Sequence, residues 1–112
     1  MARYLISFDD GAMSFPEEEL PEVAEASLEV VREARDAGVW VFGGGLESQR
    51  ASVVATDGTV TDGPYPETKA VLGGFSVIDV PSREDALKWA AKIAAACRCA
   101  QEVREIMSDP TD

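Results

Sequence analysis

The order in which hydrophobic periodicities follow one another constrains this chain more than any single residue does. Arg3–Phe8 alternates, with Tyr4, Ile6 and Phe8 on one face and Arg3, Leu5 and Ser7 on the other, which predicts a strand. After Asp9-Asp10-Gly11 and a loop to Pro16, residues Leu20, Val23, Ala24, Ser27, Leu28, Val31 and Ala34 recur at helical spacing. Glutamates crowd the start of that segment, Arg32 and Arg35 stand near its end, and Gly38 follows as a cap. These signals agree on a helix of about Glu18–Ala37. Val39–Phe42 reads as a strand running into Gly43-Gly44-Gly45. Ala51–Thr56 and Thr59–Thr61 read as strands joined by the tight turn Asp57-Gly58. Leu72–Val80 is another strand, ended by Pro81. Ser82 then caps a second helix with Asp85 three residues on, and Glu84 lies four residues before Lys88 on it. That helix carries Ala86, Leu87, Trp89, Ala90, Ala91, Ile93 and Ala94, and a last strand, Glu102–Met107, precedes a polar tail.

The resulting order, β-α-β-β-arm-β-α-β, predicts an α+β fold: a ferredoxin-like antiparallel sheet with two helices on one face. At 112 residues the chain reads as a single domain over residues 1–112, burying roughly two-thirds of its unfolded surface. No repeat, linker or low-complexity stretch interrupts it. If Tyr4, Ile6 and Phe8 face the helices, the other face of the sheet mixes Leu5, Phe75 and Val77 with Arg3, Ser7, Asp79 and Arg104. Such a surface is too apolar to face only water and too polar for a dry core. A symmetric dimer covering it would enclose a polar-lined cavity.

Charge narrows the partners. A net charge of −11 repels nucleic-acid phosphates, so nucleic acid is excluded as a partner. The glutamates concentrated on the first helix read as a solvated face, with an acidic docking surface as the alternative. No apolar run approaches the ~20 residues that a bilayer requires, and Met1-Ala2-Arg3 leads straight into a strand, so the expectation is a cytoplasmic chain without a membrane partner. Cys97 and Cys99 are too close for an unstrained disulfide with each other and have no further metal ligands at a recognisable spacing, so they read as incidental thiols. No metal and no cofactor are expected. Gly43-Gly44-Gly45 lacks the Gly-Lys-Ser/Thr ending and following helix of a phosphate loop.

Chemistry-bearing residues gather between Thr61 and Phe75. Asp62-Gly63-Pro64 is turn chemistry, in which the Asp62 carboxylate can accept backbone N–H groups and Gly63 can take a positive φ. Asp62 is therefore either a loop clamp or an acid/base group at a cavity mouth. Glu67 and Lys69 lie two apart and point the same way in an extended segment. They are either a salt-bridged pair or a set in which Lys69 holds an anionic group while Glu67 or Asp62 moves a proton. Tyr65 is a packing anchor or a pocket hydroxyl. Arg104 either pairs with Asp79 or binds an anion, and Gly73-Gly74 marks a bulge, a close backbone approach or room for a ligand.

Thr61-Asp62-Gly63-Pro64-Tyr65, Glu67, Lys69, Leu72-Gly73-Gly74-Phe75 and Ile78-Asp79-Val80-Pro81 resemble the DGPF-type branch of the YCII-related domain family. The likeness extends to Gly43-Gly44-Gly45-Leu46, Glu84-Asp85, Trp89-Ala90-Ala91 and Glu102-Val103-Arg104, with Tyr65 standing where the motif has phenylalanine. The resemblance implies a ferredoxin-like fold assembled as a dimeric α+β barrel. It also implies frequent association with extracytoplasmic-function sigma factors. Some relatives are lyases thought to use a histidine in the first helix and an aspartate after the second. This chain has no histidine, and Ile93-Ala94-Ala95-Ala96 lacks that aspartate, so the dyad does not carry over.

The expected function is a small-molecule-handling domain, read as a cofactor-independent lyase or isomerase with Asp62 and Glu67 as acid/base groups. Lys69, Arg104, Tyr65, Ser7 and Asp79 would contact a small anionic ligand. The alternatives are a non-catalytic binding or sensing module, linked to sigma-factor regulation, and a purely structural dimer. In each reading the chain is expected to form a homodimer.

Overall fold

The computed structural model describes residues 2–47, 51–63 and 72–108. Its elements follow the predicted order: β1 (Ala2–Asp9), α1 (Leu20–Asp36), β2 (Trp40–Gly45), β3 (Ser52–Val54), β4 (Val60–Asp62), β5 (Leu72–Val80), α2 (Arg83–Cys97) and β6 (Glu102–Glu105). Four strands form an antiparallel sheet in the order β2-β5-β1-β6, and β3 and β4 form a separate two-stranded arm. The fold is α+β, two helices packed on an antiparallel sheet, consistent with a ferredoxin-like arrangement.

The two central strands set the faces. In β1 and β5, Tyr4 lies opposite Ile78 and Ala2 opposite Val80, and Tyr4, Ile6, Ile78 and Val80 bury themselves against Ala86 and Ala90 of α2. Trp40, Trp89, Ile93 and Val103 pack around this cluster. Alanines in α2 let the helix lie close to the sheet. Beside α2, α1 buries Val23 and Ala34, and Lys92 Nζ bonds Glu33 at 2.8 Å while standing 5.2 Å over the Trp89 ring. Leu20 and Leu28, assigned by periodicity to the apolar stripe, remain about half exposed (53% and 52%). They lie on the flank of the stripe rather than its centre, because α1 leans chiefly on α2 and only lightly on the sheet.

Helix boundaries follow local chemistry. A 3-10 turn at Glu17–Glu19 precedes α1, which starts at Leu20 rather than Glu18. Pro21 suits the first turn, where its missing N–H costs nothing. Ala37 closes the helix and Gly38 follows with φ +75°, as the cap reading requires. Ser82 caps α2, its Oγ accepting from the Asp85 N–H at 3.2 Å. At the other end Arg98 takes a left-handed conformation (φ 58°) and reaches back to Glu19 and Glu22, with its guanidinium 6.0 Å from the Phe15 ring. That clasp fixes the loop between β1 and α1 against the end of α2.

The glycine pair in β5 is a bulge and a close approach together. Phe8 lies opposite Gly74 and Asp9 opposite Leu72, so Gly73 is the extra residue. A Cβ on Gly74 would stand 2.5 Å from the Phe8 ring and 3.2 Å from the Gly44 carbonyl oxygen.

Two outcomes test this packing. Gly74→Ala should lower stability by about 1–3 kcal/mol, because the added carbon must displace Phe8; a denaturation midpoint unchanged from wild type would mean that the sheet is packed otherwise. Tyr4 is 3% exposed and donates to Glu105 Oε1 at 3.2 Å. Burial first, then that bond and the Glu105 charge, push its phenol above the usual range, against an opposing pull from Arg83. The folded phenol keeps its proton to higher pH than an unfolded one. Its contribution is therefore intact below about pH 10 and is lost as pH rises through the folded value. Alkaline unfolding should be shallower in Tyr4→Phe than in wild type, and identical curves would contradict the assignment.

Candidate functional site

Opposite the helices, strand register gathers a mixed surface. Arg3, Leu5 and Ser7 of β1 lie across from Asp79, Val77 and Phe75 of β5. Leu5 and Ser7 lie across from Arg104 and Glu102 of β6. On the other side, Phe42 and Gly44 of β2 lie across from Val77 and Phe75. One row thus runs Arg104, Leu5, Val77, Phe42 and the next Glu102, Ser7, Phe75, Gly44, with neighbours about 4.8 Å apart. Both contain the apolar and polar side chains expected for that face.

The surface is sunk at its centre. Ser7 and Val77 are 4% and 6% exposed, whereas Phe42 is 55% exposed and Arg104 is also exposed. The Phe42 and Phe75 rings meet edge to face, with centroids 5.5 Å apart. Ser7 is the buried polar side chain among the described residues.

Asp79 is the least satisfied group on the face. Its Oδ1 is buried without a hydrogen bond among the described residues. Its Oδ2 lies 3.9 Å from Arg3 Nε, at the outer limit of an ion pair between partly exposed groups. The expected Arg104–Asp79 pairing gives way to this contact for a geometric reason. Arg3 is directly opposite Asp79 in register, whereas Arg104 is two strands away from β5. Among the described residues Arg104 makes no ion pair, so it is a cation available to something else.

The arm carries the other candidate. Asp62 is exposed at the end of β4 and lies opposite Ser52, whose hydroxyl donates to its Oδ1 at 3.4 Å. The carboxylate thus engages a cross-strand hydroxyl where a backbone N–H was expected. Gly63 does take a positive φ of 88°, and its N–H donates to the Ala51 carbonyl at 2.7 Å. Among the described residues no polar contact joins Asp62 to the four-stranded sheet. Tyr65, Glu67 and Lys69 lie outside the described residues. Cys97 and Cys99 are free thiols. Burial, followed by the neighbouring Cys97, pushes the Cys99 thiol up despite a bond from Gln101, which is the opposite of activation.

The sequence profile of the YCII-related domain family matches residues 2–108, from β1 through β6. The chain belongs to this family. A search among curated proteins finds no match. Two face residues of this YCII-related domain escaped the sequence reading: Phe42 and Gly44. The strand was expected to end at Phe42, but β2 continues through the glycines, and the register shifts between Trp40 and Phe42. That irregularity turns Phe42 away from the Trp40 side and onto the open face. Bulge positions leave no periodic signal, although the aromatic residue before three small ones was a usable hint.

Asp79 is held in place by the strand and not by its charge. Asp79→Asn should therefore change unfolding free energy by less than about 1 kcal/mol in urea titrations. A loss several times larger would identify the carboxylate as a structural support.

Proposed function

We propose that this YCII-related domain is of the DGPF type and acts as a homodimer that binds a small anionic molecule between two open sheet faces. The observation that carries this reading is Asp79 Oδ1, buried without a hydrogen bond among the described residues, on a face that also holds Arg104, which makes no ion pair among them. Buried polar atoms are nearly always satisfied, and a carboxylate oxygen without a donor awaits one. A ligand hydroxyl supplies the donor, and Arg104 receives the ligand's negative charge. Phe42, more than half exposed in one copy, accounts for a second copy as the cover, since a symmetric pair of such faces closes on itself.

Binding is favoured over an acid/base reaction because Asp62 is exposed and engages Ser52. The ligand-contacting role that the sequence suggests for Asp62, Glu67, Lys69 and Tyr65 is compatible with this reading. So is a sensing role, including one linked to extracytoplasmic-function sigma factors. A lyase or isomerase step has no contact among the described residues to recommend it.

Sedimentation velocity should give a dimer, and a screen of small hydroxy acids beginning with lactate and malate should raise the melting temperature. At a ligand concentration of 100 Kd the stabilisation is about 2.7 kcal/mol. Asp79→Asn combined with Arg104→Ala should abolish the shift while leaving the unliganded melt close to wild type. A monomer, or a shift retained in the double variant, would overturn the reading.

A further inference from the structure

The arm is a short ladder, with Ser52 opposite Asp62, Val53 opposite Thr61 and Val54 opposite Val60. Its turn closes on itself, the Ala55 N–H donating to the Thr59 carbonyl at 2.8 Å and the Gly58 N–H to the Ala55 carbonyl at 2.9 Å. Among the described residues its strands pack chiefly on each other. A two-stranded hairpin by itself is marginal in water. Val54 and Val60 share one face of it and are 63% and 61% exposed. They flank the turn at the tip, whereas residues 48–50 and 64–71, outside the described set, join the arm at its root.

A second apolar corner lies just past β6. The Ile106 N–H donates to the Arg3 carbonyl at 2.9 Å, which carries the β1–β6 ladder one residue beyond Glu105. Alternation then sets Ile106 on the open face beside Arg3. It is 39% exposed, and Met107 after it is 90% exposed. β2 and β6 are the two edges of the sheet. The arm leaves from between β2 and β5, at the end where Gly45 and Phe8 lie opposite Gly74. Ile106 stands by the other edge and at the other end. The two corners are thus diagonal, about 14 Å apart across the strands and about 17 Å along them.

We infer that the arm is an intermolecular element: Val54 and Val60 of one copy close on Ile106 and Met107 of a second, and the reverse. This rests on the two open faces meeting as proposed above. Area favours a second copy as the occupant. Strands of four to nine residues give the open sheet a footprint of roughly 400 Å² in projection. That is about half of the ~800 Å² per copy that a stable interface buries, and the arm and its target add to it. Symmetry favours it too. A two-fold axis relating facing sheets lies between them. Set along the strands, it carries the arm to the Glu102 end of the partner's β6; set across them, it carries the arm to the partner's β2. Set along the diagonal through the two remaining corners, it lays each arm on the other copy's Ile106 corner in one operation. The strands of the two sheets then cross near a right angle, one of the two packings that sheets adopt.

A nitroxide at the arm tip tests this in the full chain. Thr56→Cys in a Cys97→Ser, Cys99→Ser background carries the label, and it is mixed, with subunit exchange, with isotopically labelled protein that has none. The Ile106 and Met107 amides of the isotopically labelled copy should broaden severalfold more than those of α1. Val54→Asp with Val60→Asp should weaken dimerisation at least tenfold in sedimentation, because valine burial is lost twice in each pair. Ile106→Asp with Met107→Asp should do the same, and all four changes together little more, since both sets remove one contact. Broadening centred elsewhere, or absent from a mixture that sediments as a dimer, would overturn the inference and leave the dimer standing. So would unchanged dimer affinity in both aspartate variants. A wild type that sediments as a monomer would overturn the dimer as well. The nitroxide measurement leaves both apolar corners intact, so it decides the matter if the aspartate variants fold poorly.

Discussion

Everything in this molecule depends on the pairing of β1 with β5 at the centre of the sheet. Their antiparallel register, from Ala2 opposite Val80 to Phe8 opposite Gly74, assigns each side chain to one of two faces. Because side chains alternate, a slip of one residue would exchange those faces entirely. If β1 slipped, Tyr4 and Ile6 would then meet water, and Arg3 and Ser7 would meet the helices. The hydrophobic effect prevents this: Tyr4, Ile6, Ile78 and Val80 are at most 3% exposed beneath α2. The polar face is a consequence of that choice. Its composition follows from the residues left over once the core has been filled.

Much of this was legible in the chain. The alternation in Arg3–Phe8, the stripe from Leu20 to Ala34 and the Ser82–Asp85 cap each have a local cause, so the elements were predictable. Leu72–Val80 was readable to the residue because Pro81 ends it. The shared face of Arg3, Ser7, Asp79 and Arg104 also followed from alternation alone. What escaped depends on tertiary register. The irregularity between Trp40 and Phe42 transfers Phe42 to the open face, and no periodicity in the strand announces it. Of the two roles left open for Arg104, pairing with Asp79 fails for the same reason, since either arginine fits by chemistry and register alone selects Arg3. The first arm strand, β3, is shorter than its run suggests, because Ala55–Thr59 closes as a turn with its own hydrogen bonds.

Family membership and local geometry divide the functional question between them. The YCII-related match covers the fold but assigns no reaction. The geometry adds, among the described residues, polar groups that the fold does not use: an Asp79 oxygen without a donor and a cation at Arg104 without an ion pair. Groups of that kind weaken a fold unless a ligand or a second copy completes them. Elsewhere several charges are paired, while Arg35, Arg83 and Lys88, like Arg104, make no ion pair among the described residues. Arg32 holds Glu25 and Glu29, Lys92 holds Glu33, and Arg98 holds Glu19 and Glu22. The acidic helix is laced by these pairs, while the one buried side-chain atom without a hydrogen bond among the described residues, Asp79 Oδ1, lies on the open face of the sheet.

The central claim, that this face is the binding surface, is tested most directly by mapping amide chemical shifts in the isotopically labelled protein during titration with lactate. The account predicts saturable changes centred on Ser7, Phe75, Asp79 and Arg104, with the amides of α1 remaining still. Changes confined to the helices, or none on the sheet, would contradict it.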